Sequence, residues 1–162
     1  MKPNFHTLRI APLGLRSAQA CLDLAARTFG KDSPQYQAVR NFAVEKRAGY
    51  VATIRNCVVG FIVYDNRGME AAHILALAVR KSDRREGIGR QLLNRVVRLP
   101  RKEIIATVDE RNLDLQLFLR SQEFQAVAIE PGTPEHYVFK RIKSGVASLI
   151  TETQPLIQAA GV

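Results

Sequence analysis

The sequence predicts a single-domain α+β fold in which a mixed central sheet of about seven strands is flanked by about four helices. Three observations predict it. The hydrophobic pattern switches repeatedly between the three-and-four spacing of helices and the alternation of strands. The resulting order is strand, two helices, three strands, helix, strand, helix, two strands, with one helix linking two strands as a crossover. The length of 162 residues suits one core, burying roughly two thirds of the surface of the unfolded chain, and nothing in the composition asks for a second.

Each element has its own signal. Thr7–Ile10 alternates before Pro12 and reads as a short strand. From Ala18 a stripe of Cys21, Leu22, Ala25 and Phe29 marks a helix that Gly30 ends, and Ser33-Pro34 then caps and opens a second helix carrying Tyr36, Val39, Phe42 and Ala43. Tyr50–Ile54, Cys57–Tyr64 and Ala71–Val79 form a meander through turns at Arg55-Asn56 and Asp65–Gly68. Helical period returns over Gly87–Leu99 and stops at Pro100, Ile104–Val108 has a buried strand's composition, and Asn112 caps a helix over Leu113–Ser121. Gln125–Ile129 and Tyr137–Lys140 close the domain, placed over 1–143, leaving 144–162 as a mobile or weakly docked tail.

Composition narrows the classes. Apolar runs such as Ala76–Val79 and Val58–Val63 fall far short of the roughly 20 residues that span a bilayer, and the N-terminal segment lacks a secretory apolar core, so no membrane is expected and the cytoplasm is the expected location. Cys21 and Cys57 have neither CxxC spacing nor a nearby histidine pair; they are expected to be small buried thiols, with no metal site. The formal charge of +9, from 24 Lys and Arg against 15 Asp and Glu, favours anionic ligands in general.

The chemistry concentrates after the third meander strand. His73–Val79 runs into Arg80-Lys81-Ser82-Asp83 and then Arg84-Arg85-Glu86-Gly87-Ile88-Gly89-Arg90, a strand entering a helix through a basic glycine loop. The first N–H groups of a helix lack intrahelical partners and sit at the positive end of its dipole, so main chain alone holds an anion there. Gly87 and Gly89 keep no side chain in the way, while Arg80, Lys81, Arg84, Arg85 and Arg90 add positive charge; a pyrophosphate suits the loop. Arg90-Gln91 where a Walker loop needs Lys-Ser or Lys-Thr, and Leu92 where a dinucleotide fingerprint needs a small residue, exclude both of those loops.

Arg84-x-x-Gly87-x-Gly89, five residues beyond Val79, resembles the acetyl-CoA signature of the GNAT superfamily of N-acetyltransferases, and Asn112 followed by Leu117, Phe118, Leu119 and Phe124 resembles that family's second motif. The resemblance, which includes the ribosomal-protein alanine acetyltransferases, covers about Thr7 to Arg141. It implies acetyl transfer from acetyl-CoA to a primary amine, peptidyl or small-molecule, by direct attack in a ternary complex. It implies that Ala71–Val79 splays from its parallel neighbour around Ile104, so that main-chain groups of Leu77, Ala78 and Val79 align the cofactor's arm. Arg84, Arg85, Glu86, Gly87, Ile88, Gly89 and Arg90 would grip the pyrophosphate, with Asn112 in the same cofactor set.

The resemblance also ranks the catalytic candidates. His73 falls where one branch of the family carries its glutamate base, shares the odd positions of its strand with Leu75, Leu77 and Val79, and is of a residue type suited to base work. Thr107 occupies another branch's base position and cannot serve, which leaves Glu110 as the secondary carboxylate. Leu119 replaces the usual acid tyrosine, so Tyr137 is the substitute candidate, and Glu123 replaces a frequent glycine, which should alter the turn before Phe124. Two rival readings stay open: a non-catalytic acyl-CoA-binding sensor, and a nucleic-acid-binding protein, against which stand the lack of Trp and of any zinc or RNA-recognition motif. Homodimerisation is left open by the sequence.

Overall fold

The computed structural model describes residues 8–43 and 45–142, so Thr7 and the expected tail lie outside the described residues. In chain order the elements are β1 (Leu8–Pro12), α1 (Leu15–Phe29), α2 (Pro34–Arg40), β2 (Ala48–Ile54), β3 (Cys57–Asp65), β4 (Ala71–Val79), α3 (Ile88–Val97), β5 (Glu103–Asp109), α4 (Leu113–Ser121), β6 (Gln125–Glu130) and β7 (His136–Ile142). The strands follow the order β1-β2-β3-β4-β5-β7-β6 in one mixed sheet, and β4 and β5, joined through α3, are its parallel pair. The chain divides into two compact units: the described residues up to Arg67 with Ile74–Leu99, and Gly68–His73 with the described residues from Pro100 onward.

In the first unit β1, β2 and β3 form an antiparallel meander. Arg55 and Asn56 both take positive φ (49° and 64°) between the paired Ile54 and Cys57, the backbone that a two-residue hairpin demands. α1 ends at Gly30, whose φ of 86° a side chain disfavours. Ser33 Oγ accepts the Tyr36 N–H at 3.1 Å, with Pro34 in the first turn, as the sequence predicts. α2 is shorter than predicted, however. It stops at Arg40, after which the Phe42 N–H reaches back to Val39 O and Phe42 O accepts from the Arg47 N–H at 2.7 Å; the chain turns and Phe42 enters the core instead of extending the helix.

That core joins Cys21 and Ala25 of α1, Val39 of α2, and Phe61, Val63, Ala76 and Ala78 of the sheet. Burial pushes the Cys21 thiol up to about 12, so it stays protonated. Cys57, at the start of β3, is exposed, contrary to the expectation of two buried thiols, because it follows directly on the hairpin turn. α3 buries Ile88, Leu92, Leu93 and Val96 and ends at Val97, short of the predicted Leu99.

The second unit pairs β5 with β7 and β7 with β6, all antiparallel, around Ile104, Ala106, Val108, Leu119, Phe124 and Phe139. The Lys102 and Glu103 N–H groups both donate to Glu70 O, at 2.8 and 3.1 Å, which ties the start of β5 to the segment before β4. Glu123 holds the left-handed conformation (φ 68°) with the Phe124 N–H on Leu119 O at 3.0 Å, so an ordinary side chain bears the strain of this turn.

Gly60 on β3 decides how closely β4 and α3 approach. A Cβ there would stand 2.9 Å from Ala78 O and 3.2 Å from Leu92 Cδ1, and the first contact is backbone that cannot swing away. Gly60→Ala should therefore destabilise the fold by about 1–3 kcal/mol, lowering Tm by several degrees in a thermal melt.

Candidate active site

The loop between β4 and α3 is fixed from both ends. The Arg80 N–H donates to Val59 O at 2.7 Å, fastening the end of β4 to β3. One 3-10 turn follows, Lys81–Asp83, in which Asp83 Oδ2 accepts from Arg80 Nε at 2.5 Å and from Ser82 Oγ at 3.1 Å. The Arg80 guanidinium holds the Asp83 carboxyl below its ordinary range and is itself pushed up by it. Arg80, counted in the sequence among the cations around the loop, is thus neutralised locally by a carboxylate three residues on. Arg84 turns back so that its Nε donates to Val79 O at 3.0 Å, occupying one lone pair of a carbonyl that the resemblance assigns to the cofactor's arm.

Arg85 and Gly87 both lie in the left-handed region (φ 67° and 79°) around Glu86. Gly87 is the N-cap of α3 and offers no side-chain acceptor to the first-turn amides; its carbonyl accepts from the Gln91 N–H at 3.1 Å. A Cβ built at Gly87 would meet nothing within 4 Å, so the helix start faces open space, rimmed by the exposed Arg84, Arg85, Glu86 and Arg90. Ile88 is buried beneath it, against the face of Gly60. On β4 burial alternates: Ala72, Ala76 and Ala78 are buried, while Leu77 and Val79 are half-buried and His73 is exposed.

His73, Glu110, Asn112 and Tyr137 belong to the second unit, whereas Leu77–Val79 and Arg84–Arg90 belong to the first. Asn112 is the N-cap of α4, its Oδ1 accepting the Leu115 N–H at 3.2 Å. Glu110 pairs with Glu135: its N–H donates to Glu135 O at 2.9 Å, and its Oε1 accepts the Glu135 N–H at 3.4 Å. Tyr137 lies opposite Val108 in the β5–β7 ladder and is half-buried. Leu119, at the position where the resemblance expects an acid, is buried.

Two side chains that shape this region escaped the sequence reading. Asp83, at i+3 from Arg80, locks the loop. Gln116 is buried at 2% exposure, and its Nε2 donates to the carbonyls of Asp109 and Glu110 at 3.3 and 2.9 Å, stitching α4 to the end of β5. A polar residue between Leu115 and Leu119, one turn into a capped helix, was the available signal. Among the described residues no cluster of three or more His, Cys, Asp or Glu could hold a metal ion, and no helix is long and apolar enough to cross a membrane.

Asp109 accepts both Arg111 Nε (3.0 Å) and Nη2 (2.8 Å), and this fork lowers its carboxyl to a pKa of about 2. The folded value lies below the ordinary one, so the contribution to stability is full above about pH 4 and is lost as the pH falls toward 2. Arg111→Gln should return the Asp109 titration toward 3.8, read by carboxyl-carbon NMR, and remove its share of the acid-side slope.

Comparison with known proteins places this geometry. The pattern of the Acetyltransferase (GNAT) family matches residues 18–124. No curated protein matches the chain significantly. Among solved structures, Ard1 from Thermoplasma volcanium superposes with a TM-score of 0.73 at 21% identity, covering 84% of this chain and 97% of that one. Arabidopsis thaliana NAA60 in complex with acetyl-CoA gives 0.74 at 16% identity, over 86% of this chain and 100% of that one. The ribosomal-protein-S18-alanine N-acetyltransferase from Escherichia coli gives 0.71 at 17% identity, over 83% and 93%. These identities carry the fold alone, and the family rests on the pattern match over well more than half of the sequence. A glycine-capped helix start after a tethered strand, inside a segment that carries the family's pattern from the first helix to Phe124, makes this chain a member of the acetyltransferase (GNAT) family.

Proposed function

We propose that the chain is an acetyl-CoA-dependent N-acetyltransferase acting on a primary amine, peptidyl or small-molecule, by direct attack in a ternary complex. The observation that carries this reading is the start of α3: a left-handed Gly87 cap with open space above it and no side chain serving the first-turn amides. Those amides, with Gly89 and the cationic rim of Arg84, Arg85 and Arg90, fit a diphosphate by charge and by access. Related folds solved with acetyl-CoA, or named N-acetyltransferases, support the same class. Acetyl-CoA, when bound, supplies a thioester carbonyl open to a neutral amine. In this reading Glu86 and Ile88 contribute main chain to the diphosphate cradle, and Leu77, Ala78 and Val79 align the arm along β4. Asn112 completes the cofactor set by likeness to the family motif.

The amine must lose a proton before it attacks. For a lysine of pKa near 10.4 this costs roughly 4 to 5 kcal/mol at pH 7, and for an α-amino group near pKa 8 about 1 kcal/mol. We assign that proton to His73, which is exposed on β4. Glu110, engaged with Glu135, and Tyr137, as acid, are the weaker candidates.

Three measurements test the reading. Calorimetry should detect acetyl-CoA binding at micromolar concentration, abolished in Gly87→Glu with the circular dichroism spectrum retained; absence of binding in the parent chain would remove the proposal. Free CoA should appear when an amine panel is added, which separates an enzyme from a silent acyl-CoA sensor. His73→Gln should lower kcat/KM for lysine-like amines by about tenfold or more and for α-amines less, with an unchanged acetyl-CoA Kd; equal activity on both classes would reassign the base.

A further inference from the structure

The first unit carries more positive charge along α3 than a diphosphate at its start can use. Lys81, Arg84, Arg85, Arg90, Arg95 and Arg98 are all exposed, and none forms an ion pair among the described residues. Some cations elsewhere are matched, Arg47 and Arg67 sharing Asp65, Arg80 taking Asp83, Arg111 taking Asp109 and Arg141 taking Glu123, while others such as Arg16, Arg27, Arg55 and Arg120 are scattered singly on different elements without an ion pair among the described residues. The outer face of α3, made of Arg90, Gln91, Asn94, Arg95 and Arg98, has no carboxylate, although the usual exposed helix spaces opposite charges three or four residues apart. Arg95 and Arg98 sit near the C-terminus, where a cation complements the helix dipole. That effect accounts for a charge at the helix end. It leaves unexplained a whole face on which the neutral members, Gln91 and Asn94, are hydrogen-bond donors.

Distance separates this face from the cofactor loop. From Gly87 to Arg98 the helix rises about 16 Å, so an anion in the glycine cradle and one at Arg95 and Arg98 are different groups. We propose that the outer face of α3 is a second anion surface that docks the phosphodiester backbone of a nucleic acid, independently of base sequence. Arg95 and Arg98, beyond the Arg90 that rims the cofactor loop, present planar forks suited to phosphate oxygens, and the interleaved Gln91 and Asn94 donate to phosphate and sugar. The described face shows no aromatic or carboxylate to read a base, which makes the contact one of position and charge. An acidic protein surface is the competing occupant, and a repeating phosphate chain is favoured because the cations extend along the helix instead of converging on one point.

The test uses the full chain and a labelled mixed-sequence DNA duplex in fluorescence anisotropy, with salt varied. Binding should weaken with a slope of about −0.9 per phosphate engaged in log K against log salt. The double variant Arg95→Gln/Arg98→Gln should flatten that slope by about 1.8 and weaken binding by about tenfold, while its melting temperature stays within a few degrees and its acetyl-CoA Kd is unchanged. Saturating acetyl-CoA should leave most duplex binding in place. The proposal is overturned if the double variant binds as the parent does, if acetyl-CoA displaces the duplex completely, or if poly-glutamate binds as tightly as DNA. None of these outcomes bears on the acetyltransferase reading, which fails only on the calorimetry and thiol release above.

Discussion

The close approach at Gly60 is the constraint on which the first unit depends. With no Cβ at that position, the carbonyl of Ala78 on β4 comes up against β3, and Leu92 and Ile88 of α3 close over the same spot. Two residues further along the chain, just past β4, the Arg80 N–H is bound to Val59 O. The end of β4 and the start of α3 are thereby fixed relative to one strand, and the loop between them has little freedom left. A cradle made of main-chain amides needs this kind of support, because its geometry comes from the backbone and no side-chain rotamer can correct an error in it.

Charge in this protein is sorted as well as abundant. Carboxylates are placed where a backbone turn must be held: Asp83 on Arg80 in the 3-10 turn, Asp109 on Arg111 at the exit of β5, and Asp65 between Arg67 and Arg47 at the end of β3, where it is held well below the usual carboxylate range by its Arg67 and Arg47 hydrogen bonds. Between those fixed points the cations of the glycine loop and α3 are left to solvent. An isolated surface pair contributes little to stability, so the value of these pairs lies in setting local conformation.

Left-handed backbone at ordinary residues recurs through the fold, at Lys46, Arg55 and Asn56 as well as near the glycine loop. Arg85 and Gly87 both take left-handed backbone beside the helix start, and Glu123 takes it before Phe124. At Gly87 the residue type matches the demand. At Arg85 and Glu123 an ordinary side chain is held where it costs of order 1 to 2 kcal/mol, and the surrounding hydrogen bonds, from Arg84 Nε to Val79 O and from the Phe124 N–H to Leu119 O, are what hold it there.

Much of this was readable in the chain as written. Periodicity, caps and turn residues are local properties, so Gly30, Ser33-Pro34, Arg55-Asn56, Asn112 and the strand-loop-helix around Gly87 were legible with their elements, and element order implied the parallel pair. Tertiary structure decided what depends on partners distant in sequence. It ended α2 at Arg40 by drawing Phe42 into the core, exposed Cys57, set Glu123 in the left-handed region, and buried Gln116 against the carbonyls of Asp109 and Glu110. It cancelled Arg80 and turned Arg84 onto Val79, because side-chain direction is set by whichever acceptors the folded backbone brings within reach. Local pattern fixes which residues can form an element; only the packed chain fixes which of their polar groups are already spent.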